Sequence, residues 1–316
     1  LPMKSRSGRN WIFLGLVGIG AVVAAACVII ILLGLLSLVL PKQACVGVVK
    51  VEGTIIAGGS GGSLFGDSYA GSDDIVALIE DANGRSEVKA VVLEVNSGGG
   101  SVVGSREIYD SVKSLQKPKV AYFREVAASG GYYVAAGTDY IVSDPDALTG
   151  SIGVRATRVD MTELFRMIGY NQTIIGSGDL KGMGDPGTNM SEEERQVLQG
   201  IVDEIFQEFR GVVVENRGTK LDSQGFQQVL DARVLTGRQA LRIGLVDEVG
   251  TRKTALRKAA ALANMTYDGD VPPVCSIEKE AGLFDALFSA SAQAAAGILV
   301  EALRISTGAQ GVRLEY

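Results

Sequence analysis

From Trp11 to Leu40 the chain runs thirty residues without a charge, with Lys4, Arg6 and Arg9 ahead of the run and Pro41 and Lys42 behind it. About 20 apolar residues cross the hydrocarbon of a bilayer, whereas the apolar region of a cleavable signal has about 7 to 15, so the run predicts a tilted membrane span over 11–40. The basic residues before it predict that 1–10 stay in the cytoplasm and that the chain from residue 41 onward lies outside. The small residues before Cys27 superficially resemble a lipoprotein cleavage site, but apolar residues continue well past it, which argues against lipidation.

After the span the pattern changes to short periods. Residues 46–56 alternate apolar and polar positions and predict a strand. Residues 57–72, with six glycines, read as a surface loop. Asp73 and Asp74 are placed to cap a helix to about residue 82, with Ile75, Leu78 and Ile79 on one face, and 89–95 predicts a buried strand. A helix over 102–116, strands over 119–123 and 140–143, a small-residue turn at 149–153 that opens a further strand, a helix over 160–168 and a strand over 172–175 continue the series. Such alternation of strand and helix predicts an α/β protein.

Ser191 with Glu194 three residues on is a capping box. It opens a long helix with Val197, Ile201, Ile205 and Phe209 on one face and Leu198, Val202 and Phe206 on another. Short helices are expected over 224–230, 236–243 and 252–261. Residues 284–303 are amphipathic, but Asp285 and Glu301 argue against a second span and for contact with a partner subunit or the membrane surface. The resulting division is a cytoplasmic tail over 1–10, an anchor over 11–40, a catalytic domain over 41–260 and an association segment over 261–316.

With 47% apolar residues the chain has material for a substantial core. Beyond the span, 27 basic residues face 36 acidic ones, a net charge of −9, so nucleic acid is an improbable partner. Cys45 and Cys275 are the only cysteines there. Their spacing matches no disulfide framework or metal motif, and they are expected to stay unpaired.

The chemistry starts from an absence: the chain contains no histidine, which rules out Ser-His-Asp and Cys-His nucleophile systems. Ser129 sits between small residues and the pair Gly130-Gly131 after an apolar stretch, as a strand-to-helix turn presents a hydroxyl. A nucleophilic serine then needs a lysine as base. Lys181 lies in the glycine-rich loop 176–186 and is the candidate. The run Gly98-Gly99-Gly100 after a strand is placed to offer backbone amides to a carbonyl oxygen, and it has neither the lysine of a phosphate loop nor a dinucleotide-binding spacing.

Four stretches together resemble a family: Val95-Asn96-Ser97 with its glycines, Ala128-Ser129-Gly130-Gly131-Tyr132-Tyr133, Thr149-Gly150-Ser151-Ile152-Gly153-Val154, and Lys181 ahead of Gly184-Asp185-Pro186. In this order, after a membrane span and without histidine, they resemble the signal peptide peptidases of the serine/lysine dyad type, the SppA family in its single-unit short form. The resemblance implies a ClpP/crotonase-like spiral of ββα units behind one N-terminal transmembrane helix. It implies Ser129 as nucleophile, Lys181 as general base and Ser151 as the residue that orients the lysine. The oxyanion hole would come from Gly99 or Gly100 with the amide of Ser129 or Gly130. Where the family usually has proline after the Asn-Ser pair, this chain has Gly98. The resemblance further implies a homo-oligomeric ring whose neighbours complete each other's sites, hydrophobic peptides such as cleaved signal peptides as substrates, and no metal or cofactor. Two other functions compete with this one, a ring-forming membrane scaffold with a degenerate site and an acyl-CoA enzyme of the same fold. The outward topology speaks against the second.

Overall fold

The computed structural model describes residues 43–59 and 69–277. Contacts divide the chain into Leu1–Ala44 and Cys45–Tyr316, and the fold is that of the second unit. The predicted span over 11–40 and the amphipathic segment over 284–303 lie outside the described residues. Among the described residues, no helix is long and apolar enough to cross a membrane.

The strand expected over 46–56 is two strands, β1 (Cys45–Glu52) and β2 (Thr54–Ile56). The chain breaks at Gly53, whose amide donates to the carbonyl of Asn96 (3.0 Å), and β2 leaves the main sheet to pair in parallel with β3 (Tyr69–Gly71). Part of the stretch read as loop is therefore strand. In α1 (Ser72–Gly84), Asp73 and Asp74 do not cap; they occupy the first turn, where their charge suits the positive end of the helix. Ser72, fully buried, donates to Glu107.

β4 (Val88–Ser97) leads through the glycine loop to α2 (Val102–Ser114), capped by Ser101, whose Oγ accepts from the amide of Gly104 (3.2 Å). β5 (Lys119–Ala128), α3 (Gly130–Ala136), β6 (Tyr140–Ser143) and β7 (Leu148–Gly150) follow. Then come α4 (Thr162–Met167) and, after a 3-10 turn at Asp179–Gly182, the long α5 (Glu192–Arg217). The predicted capping box is formed in both directions: Ser191 N–H to Glu194 (2.7 Å) and Glu194 N–H to Ser191 Oγ (3.1 Å). The remainder is α6 (Ser223–Gln228), β8 (Val234–Thr236), α7 (Gly237–Arg242), β9 (Glu248–Val249), α8 (Arg252–Leu262) and β10 (Val274–Ser276).

The sheet runs β10-β1-β4-β5-β6-β9 with every neighbouring pair parallel. A parallel sheet is covered on both faces, which is why β4 reads as a nearly unbroken apolar run rather than an alternation. Val91, Leu93 and Val95 pack with Ile79 of α1, Ile108 and Val112 of α2 and Tyr132 of α3. Ala90 and Val92 pack with Ala255, Leu256 and Ala259 of α8 on the other face.

β5 does two things. Its first half, Val120 to Phe123, pairs with β6, and its last three residues, Val126 to Ala128, pair with β7 instead. A register irregularity between Val95 and Ser97 of β4 accompanies the change of partner. The turn at 149–153 thus closes strand β7 rather than opening one. β7 also pairs with β8, antiparallel.

Two further expectations are corrected. Residues 172–175 form no strand: their β-branched side chains favour extension, but no neighbouring strand offers a ladder, and Ile175 is 95% exposed. Cys45 and Cys275 form a disulfide, with Cα atoms 5.8 Å apart. Separation along the chain argued against pairing, yet β10 lies parallel to β1 with Gly47 opposite Cys275, which brings the two thiols to one edge.

Candidate active site

Ser129 stands one residue beyond β5, at the N-cap of α3, with φ 52° and ψ −124°. A non-glycine residue held in such a sparsely populated region costs about 1–3 kcal/mol and persists only where its surroundings over-determine it. Here they do. Its amide donates to Gly150 O (2.9 Å) and its carbonyl accepts from Tyr133 N–H (2.9 Å), while Ala128 is fixed in register with Gly150. The helix that follows is almost wholly buried, and Tyr132 OH anchors it by donating to Leu245 O (2.8 Å).

Ser151 follows β7 as Ser129 follows β5. It too has positive φ, 49°, and its amide donates to Arg233 O (2.9 Å). Both serines line one cleft of about 600 Å³.

The Asn-Ser pair pins the glycine loop beside them. Asn96 Oδ1 accepts from Val126 N–H (3.2 Å), and Ser97 Oγ donates to Gly53 O (2.5 Å) and accepts from Gly99 N–H (3.1 Å). On the other side, Ile55 N–H donates to Gly99 O (3.0 Å) and Ser101 N–H to Ile55 O (2.8 Å). No side chain fits between: a Cβ on Gly99 (φ 93°) would lie 2.5 Å from Gly130 N, and one on Gly100 (φ 157°) 2.1 Å from Ile55 O.

Of the four amides considered for an oxyanion hole, those of Ser129 and Gly99 are thus engaged, with Gly150 O and Ser97 Oγ. Those of Gly100 and Gly130 make no hydrogen bond to another described residue. Gly130 is packed close, since a Cβ there would lie 2.3 Å from Ser105 Oγ.

An apolar wall of Val102, Tyr133, Ile205 and Phe209 completes the cleft, together with two charged side chains, Glu208 and Arg155. The Tyr133 ring meets Tyr109 and Phe209 edge-on, with centroids 5.2 and 5.1 Å away, and its hydroxyl donates to Glu208 (3.2 Å). Burial first, and then the charge of Glu208, push the Tyr133 phenol up to about 12, so it remains a donor.

Ser129, Ser151, Gly99, Gly100 and Gly130 therefore meet in one place. Lys181 does not join them within a single chain. It is exposed, in the 3-10 turn at Asp179–Gly182, and does not line the cleft. Its segment is unusual: no residue from 153 to 193 is buried, although Met167 (81% exposed), Ile168 and Ile175 are large and apolar.

Sequence reasoning missed Tyr133, Ser105 and Glu208. Tyr133 lies one helical turn after Ser129, a usable signal. Ser105 and Glu208 carry none, because each is one polar residue among many on an amphipathic helix.

A family model for peptidase family S49 matches residues 111–266, which include both serines and Lys181. The "Putative protease MJ0651" of Methanocaldococcus jannaschii is 34% identical over 226 residues, 71% of this chain and 71% of that protein. The chain belongs to peptidase family S49. The family match supports a serine peptidase. The "Putative signal peptide peptidase SppA" of Enterococcus faecium is 34% identical over 205 residues, 64% of this chain and 59% of that one. "Protease 4" of Haemophilus influenzae is 31% identical over 226 residues, 71% of this chain but 35% of its own length. The chain thus spans between 35% and 71% of the length of these relatives.

Proposed function

We propose that the chain is a membrane-anchored serine endopeptidase in which Ser129 attacks a peptide carbonyl, the amides of Gly100 and Gly130 stabilise the oxyanion, and Lys181 is the general base. The observation that carries the reading is the strained backbone of Ser129 at the floor of a cleft, beside two uncommitted amides. Substrates are extended apolar peptides such as signal-peptide remnants, which suits the wall of Val102, Tyr133, Ile205 and Phe209. The parallel strands with a glycine loop after β4 and the serine after β5 support a ClpP/crotonase-like spiral. The Cys45–Cys275 disulfide supports a catalytic domain outside the reducing cytoplasm, in keeping with an anchor over 11–40 and the basic residues ahead of it.

The exposure of Lys181 on an arm without a buried residue supports a ring in which the arm of one subunit packs on the next and brings Lys181 to its serine or to Ser151. Apolar side chains as exposed as Met167 and Ile175 are what a neighbouring copy would cover. Labelling of the full-length chain with a fluorophosphonate tests the enzyme reading. Ser129 is expected to be the modified residue, and folded protein that takes no label would favour a scaffold. Mixing Ser129→Ala and Lys181→Ala chains tests the sharing. Random assembly of a ring with one donor per site restores about a quarter of the sites, and a mixture as inactive as its parts would place both residues in one chain.

A further inference from the structure

One end of the cleft carries a carboxylate that hydrolysis does not require. Glu208, on α5, accepts from Tyr133 OH and is ion-paired with Arg106 of α2. The pair is not sealed in: the side chains of Arg106 and Glu208 are 46% and 40% exposed, and Glu208 lines the cleft while Arg106 does not. Arg155, the other charged lining residue, comes from the segment after Ser151. The cleft therefore has an apolar wall with a negative group on α5 and a positive group in the segment after Ser151. Tyr133 follows Ser129 by one helical turn, about 6 Å of rise, and its hydroxyl reaches Glu208, so the carboxylate stands a few residues of extended peptide from the serine.

We infer that Glu208 is a specificity-determining residue that takes a lysine or arginine side chain of the substrate, displacing Arg106, which otherwise fills that place. The inference rests on the peptidase reading above and narrows its substrate class to peptides in which a basic residue adjoins an apolar run. Tyr133 holds the carboxylate in position in either state, and the exposed Arg106 is free to swing into water when a substrate cation replaces it. A partly exposed ion pair contributes little by itself, so such an exchange is cheap. The boundary between the positively charged start of a signal peptide and its apolar core has this composition.

The test uses the full-length chain in detergent and pairs of apolar peptides that differ at one position, lysine against norleucine, compared by kcat/KM position by position. At one position lysine is expected to be favoured about tenfold, the size of a single well-placed charge interaction. Glu208→Gln should erase that preference, Arg106→Ala should raise it, and Glu208→Lys should transfer it to glutamate. A structural role for Glu208 would lower both rates together without moving the ratio. An enzyme that cleaves both peptides with the same ratio in all variants overturns the inference and leaves the peptidase reading standing. An enzyme that cleaves neither overturns both.

Discussion

Ser129 and Ser151 are neighbours because Ala128 and Gly150 are paired: the two parallel strands end in register, and the next residue of each turns with positive φ, 52° and 49°. The Ser129 amide closes the join by donating to Gly150 O. The backbone thus holds the strain that presents the hydroxyl, and that strain is measurable. Ser129→Ala keeps it, whereas glycine adopts positive φ at little cost. Ser129→Gly is therefore expected to be more stable than Ser129→Ala by about 1 kcal/mol, after the entropy that glycine adds to the unfolded chain. Chemical denaturation of the two inactive variants checks it. If alanine is the more stable, the conformation is not strained.

The glycine loop gives a sharper contrast between adjacent residues. A Cβ on Gly98 meets nothing within 4 Å, while one on Gly99 would lie 2.5 Å from Gly130 N and 3.0 Å from Ser129 Cβ. Gly98→Ala should keep most activity. Gly99→Ala must push the serine turn out of place, with a loss of 100-fold or more expected from an ångström-scale misplacement, about 3 kcal/mol in the barrier. Comparable kcat/KM values for the two variants would dismiss the packing argument.

The same loop shows what the sequence could and could not say. The glycines, the serine turn and the small residues around Ser151 were legible because each answers a local backbone demand. The long α5 was legible because its capping box and 3.6-residue period agree. What failed depended on distant partners. Residues 172–175 have strand-forming side chains but no strand beside them, and Cys45 meets Cys275 only because β10 returns to the edge formed by β1. Glu208 looked like any helix acid until α5 was laid along the cleft.

The disulfide fastens a three-residue edge strand whose own side chains are mostly exposed. Its two ends are 230 residues apart, so opening it releases a large closed loop in the unfolded chain. Cys275→Ala is expected to cost about 2–4 kcal/mol. Amide exchange at Val274 to Ser276 should rise well before the central strands open. Protection at β10 that matches the wild type would mean that strand pairing alone holds it.

Asp247 sets an acid limit on the fold. Burial pushes its carboxyl up, but hydrogen bonds from Arg217 and Lys220 (both 2.8 Å) and from the Ile141 amide outweigh that and hold it below the usual carboxylate range. A depressed folded value adds stability that is fully present above the unfolded value, about 3.9, and is lost as pH falls through the folded one. Asp247→Asn would leave the buried Arg217 without its counter-ion, at about 3–5 kcal/mol. The variant's stability should fall less between pH 5 and 2 than the wild type's. Parallel pH curves would show that the pair contributes nothing specific.

Lys181 is the residue on which the catalytic proposal turns. A lysine serves as general base only when neutral, and near neutral pH an amine reaches that form through burial away from other carboxylates. Within one chain Lys181 is exposed, while Asp185 in the same loop is occupied, accepting from the Gly187 amide (2.7 Å) and from Gln172 (2.8 Å). In the proposed ring that burial comes from a neighbouring subunit, and activity is then expected to depend on assembly. Lys181→Arg is expected to be as inactive as Lys181→Ala, because a guanidinium does not deprotonate in this range. Both variants should still form the same oligomer as the wild type, read by light scattering in detergent. Dilution that separates the subunits should abolish wild-type cleavage while leaving each chain folded. An active Lys181→Arg enzyme would exclude Lys181 as the base, and a fully active monomer would exclude a shared site.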